Sequence, residues 1–344
     1  MIRAAVAGLL LLAGAAVPAT AAPVVVLAAR TIDAAEVYED AVVVVAGTVT
    51  VDGSLSLRRA RIVAAPGATL IVGGAFEATD VDGEGLGIVV TGTATLTRTR
   101  LSRSAGDLIA IDGGTLAADD VELSGAGIIA LRASQATITA AGLDVIGTNG
   151  YGIRLADSTL DASGLTISSA ADYGFFAERS SISITDSVFR GHCGAYLSSG
   201  TTGSMRETTF DTLDHGLTLF RSGAVSLRDL TFGGGSDGLS AVGVTLDVAG
   251  ITATGLTRAI VAIDSGGLID GGRLSATTAV ETGGATVPAF RSLDLSSSPT
   301  GVRNMSPSVV DARWNWWGGA PNTAGAAAFE GSVDAAPWLT AAPA

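Results

Sequence analysis

The feature that most constrains this chain is a repeat of about 21 residues running through most of its length. A small residue, an apolar residue and then strict alternation recur at Gly87, Asp107, Gly127, Gly152, Gly174, Gly194, Gly216, Gly238, Ala259, Ala279 and Gly301. Successive anchors lie 20 to 25 residues apart, with the longest interval before Gly152. A fixed period of this length is the signature of a solenoid, whose units bury their apolar faces only by stacking.

Within each period the apolar positions alternate, which is the strand pattern, not the i, i+3, i+4 pattern of a helix. Enrichment in Thr, Val and Ile agrees. A second register holds Leu96, Leu116, Ile138, Leu160, Ile184, Met205, Leu227, Leu246 and Ile269, each but the last preceded by Thr or Ser. Neighbours in a strand point to opposite faces, so the aliphatic set lines the inside and the hydroxyl set the outside. A third register holds Leu123, Val145, Ile167, Phe189, Phe210, Phe232 and Ala253. Its three Phe are expected to stack at about 4.8 Å. Three short strands per coil predict a single all-β parallel β-helix with triangular turns over residues 41–310. Gly- and Ser-rich phrases at Ser124–Gly127, Gly233–Ser236 and Ser265–Gly267 fit its corners. Residues 22–40 read as an opening strand and N-terminal cap.

Composition narrows the function classes. All 20 basic residues are Arg, and the net charge of −13 repels nucleic acid. The single Cys193 excludes an intramolecular disulfide. Residues 1–21 read as a secretory signal. Arg3 supplies the positive start, Ala4 to Ala16 the apolar run, Pro18 the break, and Ala19-Thr20-Ala21 the small-x-small cleavage pattern. The chain is therefore expected to be secreted, periplasmic or on the cell surface, with no membrane span once that segment is removed. Its partner would be a polysaccharide or a cell-envelope component.

All four Trp fall in the last 31 residues. Asn315-Trp316-Trp317-Gly318, with Pro321 after it and Val333-Asp334-Ala335-Ala336-Pro337-Trp338-Leu339 closing, resembles the terminal segment of secreted bacterial right-handed β-helix repeat proteins of pectin-lyase-like fold. That family carries an aromatic residue where Ala335 stands. The resemblance implies a right-handed coil, the usual sense of parallel crossovers, and a Trp-rich C-terminal cap over residues 311–344. Such a cap would cover the exposed end of the solenoid.

Stacking makes neighbours of residues one coil apart. One column holds Tyr151, Tyr173, Cys193, His215, Asp237 and Arg258, and the adjacent one Asp172, His192 and Asp214. Two carboxylates a rung or two apart suit acid–base cleavage of a glycan, with His215 between Asp214 and Asp237 as a proton shuttle. A lyase version would use Arg258 as base. Arg154, Tyr173, Phe176, His192 and Tyr196 are the candidate sugar-binding residues. Asp80-Val81-Asp82-Gly83-Glu84 resembles a fragment of a calcium loop, so Asp80, Asp82 and Glu84 are candidate Ca2+ ligands, the one cofactor the sequence suggests. The Thr/Ser ladder has the regularity of an ice-binding face, interrupted at Asp161, Arg206, Arg228 and Asp247. Cys193 reads as a small packing residue.

No complete active-site motif is present, and the coils leave little room for loops that would wall a cleft. The first expectation is therefore a non-catalytic protein presenting a regular face for glycan, envelope or protein contact. The second is a polysaccharide lyase or glycoside hydrolase working at Asp214, His215, Asp237 and Arg258.

Overall fold

The computed structural model describes residues 22–343. The expected signal segment lies outside the described residues. The described chain is all-β: parallel strands pair across successive coils in one 29-stranded sheet that winds as a solenoid. Each coil has three faces. In one representative coil these are residues 115–119, 121–124 and 131–134, called here the first, second and third faces. Ladders run along all three, for example Thr115↔Thr137↔Thr159, Leu123↔Val145↔Ile167 and Leu131↔Ile153↔Phe175.

The core is one continuous file of buried aliphatic and aromatic side chains from Leu27 to Ala335. On the second face the third sequence register holds rung by rung, from Leu123 to Ala253. Phe189, Phe210 and Phe232 stack with ring centroids 5.0 Å apart and planes 11° from parallel. This spacing follows the distance between strands and adds aromatic stacking to burial.

The second register differs in detail. Leu116, Ile138 and Leu160 form one inward column that continues to Ile182, whereas Ile184, Met205 and Leu227 belong to its inward neighbour. A slip of two residues keeps the same face, so alternation alone does not separate the two columns. They share one volume: Leu116 sits beside Ala118, Ile138 beside Ala140, Leu160 beside Ala162, and Gly203 beside Met205. Close packing at the axis is met by the pair, not by each position.

The anchor column is also shifted near its start. Pairing of Ile109 with Leu131 and of Leu131 with Ile153 puts Leu108 and Ala130 in line with Gly152, in place of Asp107 and Gly127. Ala130 stands 22 residues before Gly152, so the long coil that the sequence suggested there is an ordinary one.

The corners are sharper than a Gly count predicts. The first and second faces are separated by a single residue with positive φ, and most of these are charged: Asp40, Arg59, Asp80, Arg98, Asp120, Asp186, Glu207 and Asp229. Left-handed backbone costs an L-residue roughly 1–2 kcal/mol, which this fold accepts at these coils, whereas Gly142, Gly164, Gly250 and Gly271 make the same turn without it. The corner between the third and first faces carries an inward Ser/Thr ladder. The Ser158 hydroxyl accepts from the Ala136 N–H at 3.1 Å and donates to the Ala156 carbonyl at 2.7 Å, and Ser180 repeats the arrangement one rung on. These hydroxyls satisfy backbone groups that the turn takes out of the sheet.

At the C-terminus, Asn315 and Trp317 are fully buried. Asn315 donates to the carbonyls of Phe290 and Ala312 and accepts from the Leu293 N–H. Trp317 packs edge-on to Phe329 at 6.0 Å. Trp314 and Trp338 stay exposed.

Candidate functional site

The bend between the second and third faces is the widest of the three and carries the candidate residues His192, Asp214, His215, Asp237 and Arg258. Its floor explains its glycines. A Cβ on Gly194 would lie 2.2 Å from the Gly216 carbonyl and 2.6 Å from the Phe210 ring, and one on Gly216 would lie 2.5 Å from the Phe232 ring. The Phe stack presses against the inside of the bend, so the residues beside Cys193 and His215 have to be Gly.

The polar column of the bend is the one expected from the repeat. Tyr173 pairs with Cys193, His215 with Asp237, and Asp237 with Arg258. In the adjacent column the Asp214 N–H donates to the His192 carbonyl at 2.9 Å, which stacks Asp214 directly over His192. Four of the proposed catalytic residues thus meet. The His215 ring has Nε2 3.4 Å from Asp214 Oδ2 and Nδ1 3.3 Å from Asp237 Oδ2. Nδ1 is buried and not aligned for a hydrogen bond. Asp237 is buried and clamped by Arg258 through two contacts, of 2.7 and 2.9 Å. A paired carboxylate can stay charged in that position. Asp214 and His215 remain about one third exposed, open to a ligand.

The charge chain extends further than the sequence reading placed it. Arg258 also donates to Glu281 at 2.8 Å, Glu281 lies 3.4 Å from Arg303, and Arg303 donates to Glu330 at 2.8 Å. The signal was present: Glu281 and Arg303 occupy the outward column of Tyr196, through Thr218, Ser240 and Val261.

On the N-terminal side of His215 the same face turns aromatic. Arg154, Phe176 and Tyr196 stand on consecutive rungs. Phe176 and Tyr196 are stacked with centroids 5.4 Å apart and planes 1° from parallel. Tyr173 meets Tyr196 edge-on at 5.2 Å, and Tyr151 and Phe220 extend the cluster at its two ends. The Arg154 guanidinium lies 5.7 Å from the Phe176 ring centre and 5.9 Å from that of Tyr151. Its carboxylate partner Glu178 is 3.9 Å away. Burial pushes the Tyr173 hydroxyl up to about 12, with the Cys193 thiol adding to the shift, so it stays a neutral donor at ordinary pH. Burial likewise raises the Cys193 thiol.

The remaining candidates lie elsewhere. Asp80 occupies a left-handed corner, where Arg98 binds both its oxygens at 2.6 and 2.9 Å and holds the carboxyl below its ordinary range. Asp82 and Glu84 lie on a strand of the second face. Asp82 stands in register between Arg61 and Arg100, and Glu84 accepts from Arg103 at 2.8 Å. A hollow of about 710 Å³ opens beside them, lined by alternating Arg and Asp of this edge. Asp80 and Glu84 thus each pair with an arginine, and Asp82 stands in register between two.

These features define a class: a parallel β-helix with a mixed aromatic and ionisable strip along one bend. One solved structure agrees on the fold. The chain is similar to the periplasmic alginate epimerase AlgG, at 12% identity over 87% of this chain and 78% of that one, with a TM-score of 0.54. A protein of Geobacillus virus E2, ORF18, aligns at 11% identity over 78% of this chain and 54% of that one, with a TM-score of 0.34. No protein-family profile matches the chain, and no curated protein matches it. Among the described residues no helix is long and apolar enough to cross a membrane.

Proposed function

We propose that this chain is a carbohydrate-active β-helix that binds a polysaccharide along the strip from Arg154 to Arg258 and transfers a proton on it at His215. The observation that carries this reading is the setting of His215. Its ring lies between an open carboxylate, Asp214, and a buried one, Asp237, that Arg258 holds in place. A base placed beside a fixed carboxylate is one arrangement that serves proton abstraction. In this reading His215 exchanges the proton, Asp237 positions the ring, Arg258 fixes Asp237, and Asp214 faces the substrate. The stacked rings of Phe176 and Tyr196 offer flat apolar surface for sugar rings, with the Arg154 cation beside them. The resemblance in fold to an alginate epimerase supports a sugar polymer as the substrate class. Proton removal from a sugar carbon ends in elimination or in inversion, and protonation of a glycosidic oxygen ends in hydrolysis.

The test is incubation with a panel of acidic and neutral polysaccharides, alginate included. Unsaturated products, new reducing ends and sugar-ring stereochemistry would each be followed. Conversion by the native chain and its loss in His215→Ala is the expected result. Conversion that survives in His215→Ala, or none across the panel, overturns the reading. One observation favours a second reading, a non-catalytic glycan-presenting surface: with the register corrected, the coil before Gly152 is no longer than its neighbours. Glycan binding without conversion would select it.

A further inference from the structure

We infer that His192, Cys193 and Asp214 form a binding site for a divalent transition metal of the zinc class. One ligand atom from each, an imidazole nitrogen, the thiol sulfur and a carboxylate oxygen, lie within 4.8 Å of one another. The fold brings them together in two ways. His192 and Cys193 are adjacent in sequence, and at the bend their side chains converge, with Nδ1 3.2 Å from Sγ. Asp214 arrives from the next coil, fixed above His192 by its backbone hydrogen bond.

The spacing suits a tetrahedral ion. Zinc holds sulfur at about 2.3 Å and imidazole nitrogen at about 2.1 Å, which sets the two donors roughly 3.6 Å apart. The observed 3.2 Å requires an opening of only a few tenths of an ångström. Sulfur with imidazole and one carboxylate selects a borderline-soft ion and disfavours calcium or magnesium, which take oxygen ligands. The ligands also have the graded burial of a working site: Cys193 is buried, Asp214 half-buried and His192 exposed. Asp214 is backed by His215 at 3.4 Å, an outer contact of the kind that orients ligating carboxylates. Three protein ligands leave a fourth position open towards solvent, the arrangement of ions that bind an exchangeable water or a substrate oxygen.

This site shares Asp214 with the proton-transfer reading but does not depend on it. The test is titration of the purified chain with Co2+, in competition with Zn2+, followed by absorption. A thiolate-to-cobalt band in the near ultraviolet, saturating at one ion per chain and displaced by Zn2+, is the expected result. Cys193→Ser should abolish the band. His192→Ala, at an exposed position that folding does not need, should weaken binding by about tenfold or more. No such band in the native chain, or one that persists in Cys193→Ser, overturns the inference. Polysaccharide conversion by a chain that shows no cobalt band would leave proton transfer standing alone. Cobalt binding by a chain inert on every polysaccharide would leave the metal site standing alone.

Discussion

Two stacked columns of polar residues run along this solenoid, and they differ in what their neighbours do. At the corner between the first and second faces, one residue makes the turn. On the N-terminal coils oppositely charged residues occupy successive rungs there: Asp40 with Arg59 at 2.8 Å, and Asp80 with Arg98 at 2.6 Å. Further on, Asp186, Glu207 and Asp229 succeed one another, and the bond to Asp186 pushes the Glu207 carboxyl above its ordinary value. At the bend between the second and third faces, Tyr, Cys, His, Asp and Arg follow in an order with no alternation of charge. A repeat fold stacks polar residues wherever its edges meet water. Alternating ion pairs are then the ordinary outcome. A column of unlike, converging ionisable groups is where the proposed chemistry is placed.

The sharpest way to break this comparison is to disturb the floor of the bend. Phe210→Ala removes the middle ring of the Phe189–Phe210–Phe232 stack, which lies directly beneath Gly194, and is expected to cost about 3–5 kcal/mol in denaturant unfolding. Removing the buried carboxylate comes next. Asp237→Ala takes two charge-assisted hydrogen bonds from Arg258, which keeps Glu281, and is expected to cost about 2 kcal/mol. His215→Ala separates chemistry from folding: polysaccharide conversion should fall about 100-fold or more, with the melting temperature unchanged. Equal losses of both would make the bend a structural column like the corner.

The corner should respond least. Arg98→Gly relieves a left-handed backbone and gives up an exposed ion pair, so the melting temperature should stay level or rise slightly. The carboxyls of Asp40, Asp80 and Asp157 are held below their ordinary range by hydrogen bonds from Arg59, Arg98 and Arg179. Their folded values are depressed, so the stability they add is complete above the ordinary carboxylate range, about 3.9. It is lost as the pH falls through the lower folded values. Acid melting curves of Asp80→Asn should show a slightly flatter decline than the native chain, a difference that added salt reduces.

Much of the architecture was legible from the chain itself. Alternation put aliphatic residues inside and hydroxyl residues outside, because successive Cβ atoms point to opposite faces of a strand. The near-constant interval then fixed which residues stack, and it placed Tyr173, Cys193, His215, Asp237 and Arg258 in one column. The Phe ladder was correct to the residue. Alternation has a period of two, however, and a slip of two leaves every side chain on its own face. The exchange between the columns of Leu160 and Ile184 was therefore open until strand pairing closed it. The anchors moved by one residue to Leu108 and by three to Ala130, inside a bend where strand alternation does not hold.

Coil length varies from rung to rung, so no fixed interval predicts a particular ion pair. Arg98 meets Asp80 across 18 residues, whereas Arg179 meets Asp157 across 22. The tertiary structure alone decided that Asp80 and Glu84 pair with arginines, and that Arg258 joins Asp237 to Glu281. It also turned the side chains of His192 and Cys193 towards each other beneath Asp214. The physical reason is one of range. A strand's period sets direction within a few residues, whereas hydrogen bonds and ligand distances depend on tenths of an ångström, set by the packing of whole coils.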